Sequence, residues 1–477
     1  MGPKAILKIL LILTLIFYSN VFAQQIKINK IFDDNMVLQR HTEVSLWGKT
    51  KPGTKLSIFT SWNHKEYSGI SNKNGQWKIP IKTDSTGGPY RIKISSTDHT
   101  VILKNILLGE VWLCTGQSNM EMPLRGFMGQ SVKGGNREIA LASKYKKIRF
   151  FQAKQAISNV PVEELSIWHT WSEATSKSVS DFSAVGWFFG KFLNEALDDI
   201  PIGLIQISWG GTPAELWMSK GAISKFSEID KDSVLVTSGH YGPLKPSRIF
   251  NAMIHPISNL KFRGVLWYQG ESNVIRQESY EQIFSGLIND WHEQFGFNFP
   301  FYFVQIAPYH YYNKNSAVLR EAQLNTLQRV KNTGMAVSLD IGEQYKIHPG
   351  KKKEVGERLA FIALNQDYGF NGLSYKAPEY KNLVIKDTLA LVYFDSKELA
   401  ESSVNRLKGC FEIAGANKIF YPANAKVKEW NDYVEVWSSK VQKPIAVRYC
   451  FKNWCIGRLY GTNELPISSF RTDNWDK

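Results

Sequence analysis

Polar and apolar residues alternate along the first part of the chain, from about residue 26 to residue 104. Segments such as 43–47 and 91–94 place polar and apolar side chains in turn, which is the period of a strand with one buried face. Turn signals such as Asn74-Gly75 separate these segments. The pattern therefore predicts a small β-sandwich, and we assign it residues 24–104.

The pattern changes near Leu108, where apolar runs begin to alternate with longer amphipathic segments. Residues 182–197, 280–291 and 355–364 carry apolar side chains at helical spacing. Short apolar runs predict buried strands at 109–113, 202–207, 264–268, 301–306 and 335–339. Strands that alternate with helices predict a parallel sheet covered by helices on both faces, which we assign to residues 105–372. In such a sheet the ligand crevice lies outside the carboxyl ends of the strands.

From about residue 375 the chain returns to short strand-like segments with polar turns between them. These segments are 383–385, 389–393, 434–436 and 445–449. They predict a C-terminal β domain over residues 373–477. The fold class that we predict is therefore α/β, a three-layer α/β/α domain with a parallel sheet, flanked at both ends by β-sandwich-like domains.

The first 23 residues have the pattern of a cleavable secretory signal. Lys4 and Lys8 give a positive start, the apolar stretch 9–17 follows, and Val21-Phe22-Ala23 offers small or apolar residues at the cleavage positions. The apolar run is shorter than the ~20 residues that a bilayer span needs. We therefore expect a secreted or periplasmic protein that is not inserted in a membrane once the signal is cleaved.

The composition excludes several classes of protein. The net charge is +15, but the lysines are scattered apart from the run 351–353, so nucleic-acid binding is not expected. The cysteines lack paired spacings and no histidine cluster accompanies them, which argues against a metal site. Cys114 lies in an apolar run and is expected to be a buried free thiol. Cys450 and Cys455 can pair if they flank a tight hairpin, and an exported chain permits a disulfide.

Three strand ends carry residues with catalytic potential. At the first, Gly116 precedes Gln117 and Ser118; a sharp turn there projects a hydroxyl into the crevice, although serine also commonly caps a helix. At the second, glycines at 210–211 either form a simple turn or let a backbone N–H approach a ligand. The third carries Gln269, Glu271 and Asn273. Its amides are of the type that donates to an oxyanion, whereas Glu271 is equally compatible with a structural role.

A single histidine follows the last strand of the predicted sheet. His348 precedes the helix predicted at 355–364, and imidazole has the unperturbed pKa of a general base near neutral pH. A lone histidine is more often a surface or core residue, so its position alone does not assign it.

Taken together, these segments resemble the sialate O-acetylesterase family, within the larger group of SGNH or GDSL hydrolases. The blocks that carry the resemblance follow one another in the family's order: Phe32–Arg40, Gly116–Met120, Ser208–Pro213, Trp267–Asn273 and Ile347–Pro349. The closing segments Phe411–Gly415, Val447–Tyr449 and Phe470–Asp473 are also similar to the family's last β domain. The resemblance covers almost the whole chain after the predicted signal.

The resemblance implies an SGNH-type fold and the hydrolysis of acetyl esters on sugars. Ser118 would be the nucleophile and His348 the base. The oxyanion would be held by the N–H groups of Ser118 and Gly210 and by the side-chain amide of Asn273 or Gln269. Gln117, Gly211 and Glu271 complete the expected oxyanion and substrate-binding set. No metal and no organic cofactor is needed for this chemistry.

The sequence departs from the wider group at the acidic partner of the histidine. Many relatives carry an aspartate two or three residues before the histidine, where this chain has Lys346 and Tyr345. Asp340, at the end of its strand, is our first candidate for the missing carboxylate, and Glu343 is the second. A dyad supported by a backbone carbonyl is a third solution.

Two further questions stay open at the level of the sequence. The substrate is either an O-acetylated sialic acid or an acetylated polysaccharide such as xylan, because binding pockets diverge while catalytic blocks persist. A non-catalytic carbohydrate-binding protein with the same fold is the alternative from a different functional class. The sequence predicts no oligomeric state.

Overall fold

The computed structural model describes residues 25–475, apart from 228, 230–232, 239–241, 313, 402–405 and 429–431. The predicted signal peptide lies outside the described residues. Within the described ranges, no helix combines the length and the apolar character that crossing a bilayer requires.

Eight strands form the first β unit. They are β1 (Lys27–Ile28), β2 (Val37–Gln39), β3 (Glu43–Lys49), β4 (Lys55–Thr60), β5 (Lys65–Ile70), β6 (Gln76–Lys82), β7 (Gly87–Ser95) and β8 (Thr100–Gly116). Strands β1, β3 and β6 form one sheet, and β5, β4, β7, β8 and β2 pair in the second. The alternating segments predicted as strands lie in β3 and β7, because their apolar positions face the core between the two sheets.

Strand β8 belongs to two sheets. Its first half pairs with β7 as far as Leu108, and from Glu110 onward it lies at the centre of the sheet of the α/β region. The remaining strands of that region are β9 (Ile148–Ala153), β10 (Ile167–Glu173), β11 (Ile202–Ser208), β12 (Val236–Ser238), β13 (Gly242–Leu244), β14 (Gly264–Tyr268), β15 (Phe301–Val304) and β16 (Thr333–Ala336). The boundary expected at residue 104 therefore falls inside one continuous strand.

The central sheet has the strand order β10-β9-β11-β8-β14-β15-β16. The six strands β9, β11, β8, β14, β15 and β16 run parallel, as the alternation of strands and helices predicts. Strand β10 is the exception, because it pairs antiparallel with β9 at the edge, with two register shifts. The sheet is therefore mixed. An antiparallel edge strand of this kind is common in otherwise parallel sheets.

Helices cover both faces of the central sheet. The helices of the chain are Ser118–Glu121, Gly135–Leu141, Ser176–Ser180, Ala184–Ala196, Lys220–Ile223, Tyr280–Phe295, Ala317–Arg329 and Lys352–Tyr368. Shorter helical turns lie at Ala142–Lys144, Ala214–Trp217, Phe250–Ile254, His255–Ile257 and Glu271–Ser279. Strand β8 shows the division most clearly, because successive side chains of a strand point to opposite faces. Trp112 packs under the helices Ala184–Ala196 and Lys352–Tyr368, whereas Leu113 packs under Tyr280–Phe295 and Ala317–Arg329.

The helix ends follow from local sequence. Ser183 precedes the helix Ala184–Ala196, and its hydroxyl accepts a hydrogen bond from the N–H of Gly186, which satisfies one free donor of the first turn. The helix Tyr280–Phe295 ends at Gly296, which adopts a left-handed conformation with φ of 72°. Glycine adopts that conformation without steric cost. These caps fix where the helices cover the sheet.

The C-terminal region contains the predicted strands. They are β17 (Tyr380–Lys386), β18 (Leu389–Phe394), β19 (Leu399–Glu401), β20 (Phe411–Ala414), β21 (Phe420–Pro422), β22 (Asn424–Val427), β23 (Tyr433–Trp437), β24 (Ala446–Tyr449), β25 (Leu459–Gly461) and β26 (Phe470–Arg471). Two four-stranded sheets, β17-β18-β23-β22 and β21-β20-β24-β26, enclose a separate apolar core. Cys450 and Cys455 are joined by a disulfide beside β24, and Cys114 is the expected buried free thiol.

Candidate active site

Ser118 lies immediately beyond the carboxyl end of the central strand β8. Gly116 ends this strand with φ of 127°, and a Cβ atom there would lie 2.3 Å from the carbonyl oxygen of Tyr268 on β14. Only glycine fits so close a crossing at that φ. The chain then turns, and Ser118 begins the one-turn helix Ser118–Glu121. The turn therefore places the hydroxyl at the crevice that parallel sheets use for ligands.

The structure brings His348 against this serine, although 230 positions separate them in the chain. The Nε2 atom of His348 lies 2.8 Å from Oγ of Ser118. The ring of Phe127 packs edge-on against the imidazole, with ring centroids 5.2 Å apart. The loop that carries the histidine is held in turn by Asn119, whose side-chain amide donates to the carbonyl oxygen of Ile347 at 3.0 Å.

The second nitrogen of the imidazole contacts an amide rather than a carboxylate. Nδ1 of His348 lies 2.8 Å from Oε1 of Gln130. Because an amide oxygen can only accept, Nδ1 carries the proton and the lone pair of Nε2 faces the hydroxyl of Ser118. Gln130 lies in a tight loop closed by a hydrogen bond from its own N–H to the carbonyl oxygen of Phe127 at 3.0 Å. Gln130 was not predicted from the sequence, because a neutral amide in an irregular loop carries no motif.

The structure corrects the expected position of the acidic partner. Asp340 forms a two-pronged ion pair with Arg358, with N–O distances of 2.8 and 2.7 Å, and makes no hydrogen bond to His348. The guanidinium of Arg358 donates a hydrogen bond to each carboxylate oxygen, so Asp340 has a structural role. The second candidate, Glu343, accepts a hydrogen bond from the N–H of Gly350 at 2.9 Å and likewise does not contact the imidazole.

A buried polar chain lies behind the serine and the histidine. Lys352 is fully buried, and its Nζ donates to Oδ1 of Asn119 at 2.5 Å. The amide nitrogen of Asn119 donates to Oε1 of Glu271, also at 2.5 Å. Glu271 is therefore linked through Asn119 to the loop that carries His348. In the sequence, only its position next to Ser118 indicates a role for Asn119. Nothing in the sequence indicates one for Lys352, since lysine is rarely buried.

Burial sets the charge states of these groups. It lowers the pKa of His348 to about 4, and the positive charge of Lys352 contributes in the same direction. Burial also lowers the pKa of Lys352 to about 7, against the opposing effect of the Glu271 and Glu343 carboxylates. For the same reason the pKa of Glu271 is raised. The imidazole is consequently neutral, and able to accept a proton, throughout the neutral pH range.

The turn at Gly210 lies against Ser118. A Cβ atom at this glycine would lie 3.2 Å from Cβ of Ser118, so its backbone is close to the serine side chain. Its N–H donates to Oε2 of Glu121 at 2.5 Å. Burial raises the pKa of Glu121, and the bonds from Gly210 and Gln155 oppose the rise. Gly211 adopts φ of 73° and has open space where a Cβ would stand.

The amides expected at the oxyanion are occupied by other contacts. Asn273 is fully buried; it accepts from the N–H of Ala214 at 2.9 Å and donates to Oε2 of Glu215 at 3.0 Å. Gln269, also fully buried, donates to Oδ1 of Asn273 at 2.7 Å. Neither amide forms a hydrogen bond to Ser118. Both therefore hold together the loops that follow β11 and β14.

Gln117 connects the turn before Ser118 to the third strand end. Its Oε1 accepts hydrogen bonds from the N–H groups of Gly270 and Ser272, both at 3.3 Å. Its own N–H donates to the carbonyl oxygen of Tyr268 at 2.9 Å. The two strand ends are thus fixed relative to each other. Gln117 therefore positions the two strand ends, and its side-chain oxygen is occupied by these contacts.

Comparison with known proteins assigns the chain to a family. The family of sialic acid-specific acetylesterases, which are carbohydrate esterases, matches residues 108–365. The human sialate O-acetylesterase is 29% identical over 470 residues, which cover 88% of this chain and 87% of the human protein. The mouse sialate O-acetylesterase is 26% identical over 492 residues and covers 88% of each chain.

A solved structure extends this likeness to the fold. A carbohydrate acetylesterase from Xanthomonas citri superposes with a TM-score of 0.84 at 32% sequence identity, covering 94% of this chain and 100% of that one. The match includes the α/β region and both β-rich flanks. The chain therefore belongs to the family of sialic acid-specific acetylesterases among the carbohydrate esterases, and is a carboxylic-ester hydrolase of sialate O-acetylesterase type.

Proposed function

We propose that this chain is an exported enzyme that removes acetyl groups from sugar hydroxyls through an acyl-enzyme on Ser118. The observation that carries the proposal is the 2.8 Å contact between Oγ of Ser118 and Nε2 of His348. The bond from Nδ1 to Gln130 supports it, because it leaves the lone pair of Nε2 directed at the serine. Serine, histidine and an orienting acceptor form the constellation by which such hydrolases are recognised on unrelated folds.

Acylation begins when Ser118 attacks the carbonyl carbon of the acetyl ester. Nε2 of His348 takes the hydroxyl proton as the Oγ–C bond forms, and the carbonyl electron pair moves to the oxygen. When the tetrahedral intermediate collapses, the bond to the sugar oxygen breaks and the imidazolium returns its proton to that oxygen. The low pKa of His348 makes its imidazolium a strong acid for this second transfer. Gln130 supplies a dipole that stabilises the transient imidazolium.

The developing oxyanion needs donors close to Ser118. The N–H of Ser118 is one, because the first residue of a helix has no partner within the helix. The N–H of Gly210 is the second, and each such donor is worth ~3 kcal/mol of barrier. In the substrate-free chain this N–H binds Glu121. The acetyl carbonyl must therefore displace the Glu121 carboxyl from this N–H. The raised pKa of Glu121 favours the displacement, because it promotes the neutral form of the carboxyl.

Deacylation repeats the sequence with water as the nucleophile. His348 removes a proton from the water molecule as its oxygen attacks the acetyl carbon. Collapse of the second intermediate breaks the Oγ–C bond, releases acetate and returns the proton to Ser118. Side chains of the chain itself supply every proton transfer in this cycle.

Export and the identity of the sugar belong to the same proposal. The signal-like pattern of residues 1–23 supports export, and the disulfide between Cys450 and Cys455 is typical of an oxidising compartment. The substrate class is an O-acetylated sugar, for which acetylated sialic acid and acetylated xylan are the two candidates. Acetate release from both substrates, measured side by side, separates them.

Turnover of p-nitrophenyl acetate by wild type and by Ser118→Ala tests the mechanism. The variant is expected to lose activity by roughly a thousandfold or more, as removal of such a nucleophile does elsewhere. Ser68→Ala is the matched control, since Ser68 is an exposed serine on β5 of the first β unit. Equal turnover by wild type and Ser118→Ala would instead favour a non-catalytic carbohydrate-binding protein.

A further inference from the structure

A cleft lies beside the nucleophile turn, and of its lining residues only Glu121 enters the proposed mechanism. Its wall includes the polar and aromatic side chains Glu121, Gln152, Lys154, Gln155, Trp168 and Ser208. Glu121 ends the helix that Ser118 begins, and Ser208 is paired with Gly116, two residues before the nucleophile. The cleft is thus built on the same strand ends as the serine.

Trp168 is placed in this cleft by an irregularity of the edge strand β10. The pairing of β10 with β9 shifts register between Ile167 and His169, so Trp168 is excluded from the ladder. Its surface is 60% exposed, whereas Trp171 of the same strand is buried and donates to the carbonyl oxygen of Ile31 at 2.7 Å. Bulges of this kind redirect side chains and are frequent next to active sites. Packing thus accounts for Trp171, whereas Trp168 keeps exposed ring surface for a ligand beside Nζ of Lys154, which lies 5.8 Å from its ring centroid.

The polar groups of the cleft are fixed by hydrogen bonds. Gln155 donates to Oε1 of Glu121 at 2.7 Å. The buried Gln206 donates to Oγ of Ser208 at 3.0 Å and accepts from Gln152 at 3.3 Å. Amides and a carboxylate held in defined directions are the groups that orient a polar ligand in a pocket.

The combination of groups selects a class of ligand. A pyranose ring has an apolar C–H face, which packs on an aromatic ring, and a rim of hydroxyls, which need donors and acceptors in fixed positions. Trp168 offers the flat aromatic surface, and Glu121 and Gln155 offer the acceptor and donor. Glu121 also binds the N–H of Gly210 beside Ser118, so the cleft adjoins the strand ends that carry the serine.

We propose that this cleft is the subsite for the pyranose ring that carries the acetyl group, with Trp168 as its stacking surface and Glu121 and Gln155 as partners of its hydroxyls. The inference rests on the proposed esterase function, because it names where the sugar of that reaction binds. Trp168 is then a specificity-determining residue, which contacts the sugar and takes no part in the chemistry.

The test compares kcat/KM for two kinds of substrate in wild type and in Trp168→Ala. The sugar substrates are acetylated xylo-oligosaccharides and O-acetylated sialic acid, and the sugar-free substrate is p-nitrophenyl acetate. The variant is expected to lower the ratio of sugar-ester to aryl-ester kcat/KM by about tenfold, mainly through KM, as loss of one aromatic contact predicts. Trp168→Phe should retain part of the wild-type ratio, since it keeps an aromatic face.

Phe59→Ala is the matched control, because Phe59 is a part-exposed aromatic residue on β4 of the first β unit. It should leave the ratio at the wild-type value. If wild type hydrolyses the acetylated sugars and Trp168→Ala has the wild-type ratio, the subsite is refuted and the esterase proposal stands. If wild type hydrolyses the aryl ester but none of the acetylated sugars, the proposed sugar esterase fails, and the subsite fails with it.

Discussion

Replacing Gln130 by glutamate converts the observed contact into the serine–histidine–carboxylate arrangement that the wider group uses. The new carboxylate oxygen would take the place of Oε1, which lies 2.8 Å from Nδ1 of His348. The two side chains have the same length and branching, so the geometry of the contact is retained. The charge of the acceptor is the only large change.

The size of the effect follows from the difference between a neutral and a charged acceptor. A neutral hydrogen bond contributes ~1 kcal/mol net and one to a charged group ~1.5–3 kcal/mol. The carboxylate stabilises the imidazolium more than the imidazole, and one pKa unit corresponds to about 1.4 kcal/mol. The pKa of His348, which burial and Lys352 lower to about 4, should therefore rise by roughly one unit in Gln130→Glu.

The assay is the pH dependence of kcat/KM for p-nitrophenyl acetate, from about pH 3.5 to 8, since its acid limb reports the pKa of the base in the free enzyme. The limb of Gln130→Glu should lie at higher pH than that of wild type, so the variant loses activity first on acidification. Gln130→Ala is the companion variant; it removes the acceptor without adding charge and should lower kcat without raising the limb. An unchanged or lowered limb in Gln130→Glu would refute the contact between Gln130 and the imidazole.

Three other predictions concern the base and its surroundings. His348→Ala should lower kcat/KM for p-nitrophenyl acetate by about a thousandfold or more while thermal melting stays near wild type; near-normal turnover would exclude it as the base. The folded chain holds the pKa of Lys352 at about 7, below the ordinary lysine value of 10.5. The unfolded chain therefore binds more protons between these two pH values. Wild-type stability in urea should therefore rise with pH over that window, by at most ~1.4 kcal/mol per unit, and Lys352→Met should flatten the rise; parallel slopes would contradict the shift. Asp340→Asn breaks the pair with Arg358 and should cost about 2–4 kcal/mol of unfolding free energy. Its kcat should fall less than that of Gln130→Ala, and the reverse order in matched assays would restore Asp340 as the histidine's partner.

The sequence predicted the parts of the fold that depend on repeated patterns. The helix at 280–291 was found because its apolar face is continuous, and the structure extends it to Tyr280–Phe295. The helix Ala317–Arg329 was missed, since its buried side includes Arg320, Gln323 and Thr326, whose polarity hides the helical period. The edge strand β10 was not predicted, and its antiparallel direction does not follow from side-chain patterning, which does not encode strand direction.

The candidate site divides in the same way. Ser118 and His348 could be named because they lie in blocks of recognisable order, and the structure places them in contact. The partner of the imidazole could not be named from the sequence. The fold places Gln130 against Nδ1 of His348, although Asp340 is closer along the chain and carries a charge. Lys352 was noted only as part of the lysine run 351–353, and its burial beneath the site distinguishes it from its neighbours.

Strand β8 has a consequence for how this protein can be divided. A single strand from Thr100 to Gly116 pairs with β7 in the first β unit and then leads into the turn before Ser118. Cutting the chain at residue 104 would separate β2 from its partners Leu107–Gly109 and the start of β7 from Ile106 and Leu108, and the hydrolase core would then begin inside β8. The leading β unit is thus not a detachable accessory, and the two parts should melt in one cooperative step rather than separately.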